Sequence, residues 1–326
     1  MSQESRSTNV FVLDFNKPRG STDPAYHVVK RMLAQHGYLS QFLNFRNHAL
    51  DEGEIRDDDK RSNIILQGVA RQIIQKTGTR LWWVHVPRSL PTPAMFVGVD
   101  VFHAPRVYDP KLKRKVAPGS CAAIIVQIHR GGDHPAQTQI ELFTKTFARE
   151  PGKEYDLGTS LEETVQTAIE ELNVLPKCCI VWRDGIGDQS FDNHAKDEIT
   201  GIRNGLRRNK VVGASAENAD VPLSYIVCQK RIDTKLYIKG DDSQTDVKYY
   251  GAPAGTLVRS IQGLQHDTFY INGTAPSYST AKPVRYVIVA KDKSMEPVPL
   301  DELTWELCHD YANWVSCFLF DFEQEP

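Results

Sequence analysis

The sequence predicts an α/β protein: a mixed sheet flanked by helices, with a smaller N-terminal α/β domain in front of it. Three observations carry that expectation. Beyond residue 94, three strand-length apolar segments follow one another on connections rich in Pro, Gly, Asp and Lys. Helical and strand segments then alternate, a pattern that builds a mixed sheet covered by helices. The residues before it make their own strand–helix–strand–helix series, and SLPTPA (89–94) separates the two regions, because its prolines interrupt helix and sheet alike. The expected domains are residues 1–90 and 91–326.

Along the chain, NVFVLDF (9–15) reads as a short buried strand. Asp23 can cap the next helix, Pro24 suits its first turn and Gly37 ends it. Val29, Met32, Leu33 and His36 share a face of that helix, and Tyr26 and Lys30, four residues apart, also share one. YLSQFLNF (38–45) is a second strand, and HALDEGEIRDDDKRS a charged connection. Ser62 is expected to cap NIILQGVARQIIQKTG, where Ile65, Val69 and Ile73 form an apolar stripe and Gln72 and Lys76 project together. MFVGVDVFH (95–103), SCAAIIVQIH (120–129) and TQIELFTKTF (138–147) read as strands. LGTSLEETVQTAIEEL is an amphipathic helix lined by Leu161, Val165, Ala168, Ile169 and Leu172, with Thr159 and Glu162 as a capping box. CCIVW is the next strand, and FDNHAKDEITGIRNGLRR a helix with Phe191, Ala195, Ile199, Ile202 and Leu206 on its apolar face. LSYIVCQK, GTLVRS, DTFYING and VRYVIVA are further strands, and LDELTWELCHDYANWV (300–315) closes the chain as a helix.

Composition narrows the function classes. At 326 residues, 40% hydrophobic and 25% charged, the chain can bury a sizeable core. A net charge of −2 gives no global nucleic-acid signal, so any anion-binding surface must be local. The six cysteines show no CxxC spacing and read as reduced thiols of an intracellular protein, placed in the cytoplasm with the nucleus as the alternative. No apolar run approaches the roughly 18 residues of a membrane span, and the polar start MSQESRSTN is not a signal peptide.

Two aspartates stand out. Asp100 sits among valines in VGVDVFH, and Asp184 ends CCIVWRD. An ionised carboxylate in an apolar sheet costs several kcal/mol, on the order of a broken ion pair, unless it is paired or binds metal. For either alone, an arginine or backbone partner is the ordinary explanation. If their two strands are neighbours, the carboxylates converge, and a hard divalent cation relieves their repulsion. Mg²⁺ (or Mn²⁺) suits oxygen donors and supports phosphodiester hydrolysis.

VGVDVFHAP, VWRDGIGDQSF, YIVCQKRIDTKLY, GTLVR and LTWELCHDYANW together resemble, in order and spacing, the Piwi domain of the Argonaute/Piwi family over roughly residues 90–315. The resemblance implies an RNase H-like fold that can cut RNA opposite a bound guide. Carried over by motif, the catalytic acids are Asp100 and Asp184, which would also be the metal ligands. A third, loop glutamate best matches Glu154 in FAREPGKEYDLG, with Glu150 as runner-up. The family's fourth catalytic position has no counterpart motif, although Asp321 and Glu323 are nearby acids.

The first ~90 residues resemble the family's Mid domain, which holds the guide's 5′ phosphate. The matching residues are Tyr26, Lys30, Gln41, Gln72 and Lys76. Lysines would neutralise the phosphate, amides would donate to it, and Tyr26 would stack on the first base. Lys230 and Arg231 look like the family's contacts to the same phosphate region, and Lys282 stands where the family often has a basic residue. KLKRK (111–115) and RNGLRRNK (203–210) are basic clusters that either track a nucleic-acid backbone or form solvated faces. The family's PAZ and N-terminal domains have no match, so the chain reads as a truncated member, a short isoform or an incomplete gene model. The implied partners are a small guide RNA, complementary target RNA and silencing-complex proteins. Three functions are carried forward: a guided endoribonuclease, a guide-binding silencing protein that does not cut, and another RNase H-like nuclease.

Overall fold

The computed structural model of the chain describes residues 10–14, 24–43, 60–77, 81–82, 84–103, 106–116, 119–131, 140–149, 157–208, 220–240, 249–259, 264–273 and 282–310. The chain divides into two units, one of Met1–Trp83 with His309–Asp321, the other of Val84–Cys308 with Phe322–Pro326. In the first, strand β1 (Val10–Asp14) leads through helix α1 (Pro24–Gln35) to β2 (Leu39–Leu43), which pairs parallel to β1; helix α2 (Lys60–Lys76) follows. Pro24 opens α1 as expected, its missing N–H being harmless there. Helix α2 begins two residues before Ser62, so Ser62 lies in its first turn and is not the cap. The chain returns to this unit near its end, where Trp82 donates from Nε1 to the carbonyl of His309 at 2.7 Å.

The second unit is organised by alternation. Strands β3 (Ala94–His103), β6 (Ser120–His129) and β7 (Ile140–Arg149) pair antiparallel, and β3 also pairs parallel with β8 (Cys178–Asp184). The hairpin of β4 (Val107–Asp109) and β5 (Arg114–Val116), which the sequence reading did not resolve, lies between β3 and β6 in the chain. Strand β9 (Leu223–Gln229) joins β8 in parallel. A second unanticipated hairpin follows, β10 (Tyr237–Lys239) with β11 (Tyr249–Gly251). Strands β12 (Leu257–Arg259), β13 (Asp267–Ile271) and β14 (Val284–Lys291) complete a mixed eight-stranded sheet in the order β12-β13-β14-β9-β8-β3-β6-β7. The mixed sheet flanked by helices is the fold class the sequence predicts.

Because side chains alternate along a strand, each face of the sheet carries its own core. Met95, Val97, Val99, Cys179 and Val181 face helices α3 (Gly158–Leu172) and α4 (Lys196–Arg207). Ala94, Phe96, Cys178, Ile180 and Ile226 face helix α5 (Leu300–Cys308). Helix α4 is entered through a π-helical turn, Phe191–Ala195, that the sequence reading merged into the helix. The Thr159–Glu162 capping box does not form. Leu157 occupies the cap position of α3 with helical φ and ψ, and no side chain caps it. Glu162 is taken by tertiary partners instead: Asn204 donates to it at 3.1 Å, and Arg208 pairs with it.

Glycines let α3 and α4 cross backbone to backbone. A Cβ on Gly201 would lie 2.0 Å from the carbonyl oxygen of Gly158, and one on Gly205 would lie 2.6 Å from that of Glu162. Gly→Ala within an exposed helix stabilises by up to about 1 kcal/mol. Here the sign is expected to reverse: Gly201→Ala should cost about 3 kcal/mol by forcing the helices apart. Thermal unfolding measures this, and an unchanged or raised Tm would contradict the close crossing.

Candidate functional site

Two cavities gather the residues singled out from the sequence, one in each unit. In the first unit, Tyr26, Lys30, Ser40, Gln41, Phe42, Gln72, Gln75 and Lys76 line a pocket of about 280 Å³. The 3.6-residue period of α1 puts Lys30 one turn after Tyr26, and its Nζ donates to the Tyr26 hydroxyl at 3.2 Å. Spacing by four on α2 likewise aligns Gln72 with Lys76. Lys76 donates from Nζ to the Ser40 carbonyl and to Gln41 Oε1, both at 2.7 Å. That bond fixes the Gln41 amide, whose Nε2 donates to Gln72 Oε1 at 3.0 Å. Gln41 is nearly buried, while both ammonium groups remain exposed. Partial burial, and then the charge of Lys30, hold the Lys76 pKa below the ordinary lysine value. The pocket therefore holds two like charges that repel each other, and an anion would relieve them. Tyr26 packs edge-on against Phe42, with ring centroids 4.6 Å apart.

In the second unit, the parallel register of β3 and β8 ends at Val99 opposite Arg183. Asp100 and Asp184 are the next residues on adjacent strands. Both fall in the alternation set of Ala94, Phe96, Cys178 and Ile180, so they share the α5 side of the sheet. They line one cavity of about 1030 Å³ together with Phe102, His103, Asp188, Lys230, Arg231 and Arg285, among others. Asp100 is exposed, which corrects the expectation of a carboxylate enclosed by its valine neighbours. β8 stops at Asp184, so the end of β3 stands open to solvent. Asp184 is half-buried and accepts a hydrogen bond from Lys230 Nζ at 2.6 Å. Partial burial acts to lower the Lys230 pKa, but the hydrogen bond it donates to Asp184 and the charges of Asp184 and Asp100 outweigh it and leave it raised.

The cavity wall is braced from behind. Arg183, of opposite parity to Asp184, points to the α4 side and is buried there with Glu198 and Tyr225. Its Nε donates to Glu198 at 3.0 Å, its Nη1 reaches the carbonyl of Asp184, and the Tyr225 hydroxyl donates to Glu198 at 2.5 Å. The turn after β8 is tied down as well: Gln229 donates to the carbonyl of Ile186 at 3.0 Å and to Asp188 at 2.7 Å, and Arg285 pairs with Asp188 at 2.8 Å. Partial burial opposes the ionised form of Asp188, but bonds from Arg285 and Gln229 hold its pKa below the ordinary value. Sequence reasoning did not single out Asp188, Glu198, Gln229 or Arg285. Their partners come from four different elements, and no local spacing signals them.

Glu154 and Glu150 lie outside the described residues, as do Asp321 and Glu323. Among the described residues, no group of three or more His, Cys, Asp or Glu side chains is placed to hold a metal ion. Lys230 and Arg231 line the aspartate cavity of the second unit, and Lys282 is exposed just before β14. No helix among the described residues is long and apolar enough to cross a membrane.

The mixed sheet flanked by helices is an RNase H-like fold, with Asp100 and Asp184 on two of its adjacent strands. The family model of the Piwi domain matches residues 11–318, and the chain belongs to that family. Among curated proteins it is 26% identical to Piwi-like protein Ago3 of Bombyx mori over 296 residues, covering 90% of this chain and 28% of that protein. It is also 26% identical to Piwi-like protein 1 of Danio rerio over 250 residues, 76% of this chain and 26% of that one. The chain thus spans little more than a quarter of the length of these two relatives. Among solved structures it superposes on Drosophila Piwi with a TM-score of 0.63 at 18% identity, covering 94% of this chain and 37% of that one. Kluyveromyces polysporus Argonaute with a guide RNA gives 0.64 at 17%, with 94% and 33% covered.

Proposed function

We propose that this chain binds the 5′ phosphate of a small guide RNA through its first unit, a Mid-like domain, and presents that guide to complementary RNA in gene silencing. The observation that carries this reading is the convergence of Tyr26, Lys30, Gln41, Gln72 and Lys76 on one pocket. These are five residues from two helices and a strand that the sequence had singled out together. Two ammonium groups match a terminal phosphate carrying more than one negative charge, and the fixed Gln41–Gln72 pair orients the amides. One solved structure of the same fold is an Argonaute with a guide RNA, which supports the same partner. The test is the affinity of the full chain for otherwise identical 5′-phosphate and 5′-hydroxyl RNAs. A preference of about 100-fold or more for the phosphate is expected, and equal affinities would remove the reading.

A second activity, divalent-metal-dependent endonucleolytic cleavage of target RNA, is favoured by the adjacent placement of Asp100 and Asp184 on one wall of a large cavity. The donor set fits: carboxylate oxygens on neighbouring strands suit Mg²⁺ or Mn²⁺, and these two side chains would hold the ion. A bound ion would supply an activated water and neutralise charge on the leaving oxygen. The protein's own part is to hold Asp184 through the backing Arg183 and to keep Lys230 beside the reacting phosphate. Lys230 also competes for Asp184. Direct Mn²⁺ titration should therefore show at least about 10-fold weaker binding in Asp100→Asn and tighter binding in Lys230→Met. Unchanged Mn²⁺ affinity in Asp100→Asn would exclude this carboxylate as a ligand.

A further inference from the structure

The two basic clusters of the sequence have opposite fates in the fold. In the 203–208 stretch, Arg203 pairs with Asp292 at 2.7 Å, Arg207 with Asp220 at 2.6 Å, and Arg208 with Glu162. The arginines of that cluster are consumed by intramolecular partners. The stretch 106–116 carries Arg106, Lys111, Lys113, Arg114 and Lys115 against a single acid, Asp109. All five cations are exposed, and none forms an ion pair with a carboxylate among the described residues. Asp109 is spent on the turn, where its Oδ1 accepts the backbone N–H of Lys111 at 2.7 Å and of Leu112 at 3.2 Å. Lys113, at φ 51°, closes the turn.

This stretch is the β4–β5 hairpin, a two-stranded sheet separate from the eight-stranded one. Such a ribbon is marginal in water without something to cover it. Tyr108 is 57% exposed and Phe102, at the end of β3, is 65% exposed. Tyr108 stands directly opposite Lys115 in the antiparallel register, so ring and ammonium share a face of the ribbon. Phe102 and His103 line the aspartate cavity, and the hairpin begins four residues after His103.

Exposed aromatic faces interleaved with unpaired cations match a single nucleic-acid strand, in which bases stack and phosphates alternate. We infer that the β4–β5 hairpin is an RNA-contact surface separate from the 5′-phosphate pocket, holding the backbone of a single RNA strand beside the Asp100/Asp184 cavity. Tyr108 stacks on a base and Lys115 contacts a phosphate on the same face, while Arg114 on the opposite face and Lys111 at the turn contact phosphates where the strand passes round the tip of the ribbon. The inference rests on the RNA-binding reading but not on the pocket, and the experiment separates them.

The full chain is titrated with short 5′-hydroxyl single-stranded RNA across a salt series, as the parent and as Lys111→Gln, Arg114→Gln, Lys115→Gln combined. Three lost phosphate contacts should flatten the log–log salt dependence by about 2, which is roughly 100-fold in affinity at 0.1 M relative to 1 M salt. The triple Arg203→Gln, Arg207→Gln, Arg208→Gln serves as the control and should leave the slope unchanged. Tyr108→Ala should lose about 10-fold in affinity with the slope intact. The preference for 5′-phosphate over 5′-hydroxyl RNA should survive in the hairpin triple. Retention of both slope and affinity in that triple would overturn the inference, as would poly-glutamate displacing RNA at lower concentration than RNA itself, which would mark an acidic protein partner. Loss of slope without any 5′-phosphate preference in the parent would keep the hairpin surface and remove the pocket reading.

Discussion

Lys30→Ala combined with Lys76→Ala is expected to erase discrimination between 5′-phosphate and 5′-hydroxyl RNA, a loss of about 100-fold or more in affinity for the phosphorylated strand alone. Each charge-assisted contact to a phosphate contributes about 1.5–3 kcal/mol, so two account for that factor. The single variants should differ. Lys30 reaches the pocket on an exposed stem and donates to the Tyr26 hydroxyl, so its removal subtracts mainly a charge. Lys76 also holds the Gln41 amide, and through it Gln72, so Lys76→Ala loses a charge and the orientation of two donors. The pH profile carries the same signature. Affinity should rise as the phosphate takes its second charge near pH ~6. It should fall again on the alkaline side, starting below the ordinary lysine range. Burial and the charge of Lys30 depress Lys76, so it loses its proton at a lower pH than an ordinary lysine. Lys30→Ala removes that repulsion and should move the alkaline limb upward. An alkaline limb that does not move would mean the two lysines do not sense each other.

The second unit is legible in the sequence wherever a signal is local. The apolar runs around Val97 and Ile180 fix β3 and β8, and the acids ending those runs fix the cavity, because strand period and parallel register decide which residues meet. What is not legible depends on partners distant in the chain. Glu162 spells a capping box with Thr159, but Asn204 and Arg208 on the neighbouring helix outcompete the local bond. Glu198 reads as an ordinary polar helix residue, yet it is fully buried against Arg183. The clusters KLKRK and RNGLRRNK look equivalent as strings, and only the fold shows that the arginines of one have acids beside them. Lys230 and Arg231, read from their motif alone, carry no mark of the cavity they line. That placement follows from β9 pairing with β8, which brings Cys228 opposite Asp184 and Lys230 within reach of it. In the first unit the helical spacing of Tyr26 to Lys30 and of Gln72 to Lys76 is legible. The contact of Lys76 with the Ser40 carbonyl is not, because it depends on how α2 meets β2.

Glu198→Ala is expected to be among the most destabilising single changes in the second unit, at about 3–5 kcal/mol. Arg183 and Glu198 are 1% and 0% exposed, so the change would leave a guanidinium buried without its counter-charge. Arg183 has little in reserve, since its Nη2 already has no hydrogen-bond partner. The Tyr225 hydroxyl would lose its acceptor as well. Burial alone, the largest cause of the raised Tyr225 pKa and one that outlasts the loss of Glu198, disfavours the phenolate as a replacement anion. In a unit of this size the loss corresponds to a drop in Tm on the order of 10 °C. Tyr225→Phe should cost only about 1–2 kcal/mol, because it leaves the ion pair in place. The decisive comparison is Arg183→Met with Glu198→Leu and Tyr225→Phe, which replaces the whole polar group by apolar side chains of similar volume. If the charges serve stability alone, this triple should recover most of the loss, since buried ion pairs are often no better than packed hydrocarbon. The bond from Arg183 to the carbonyl of Asp184 gives the pair a second task, to hold the end of β8 where Asp184 meets Asp100. The triple is therefore expected to regain its Tm and still bind Mn²⁺ more weakly than the parent. Recovery of both would make the buried pair a packing element only, and Glu198→Ala unfolding within 1 °C of the parent would mean that water reaches Arg183 and that the pair is not sealed.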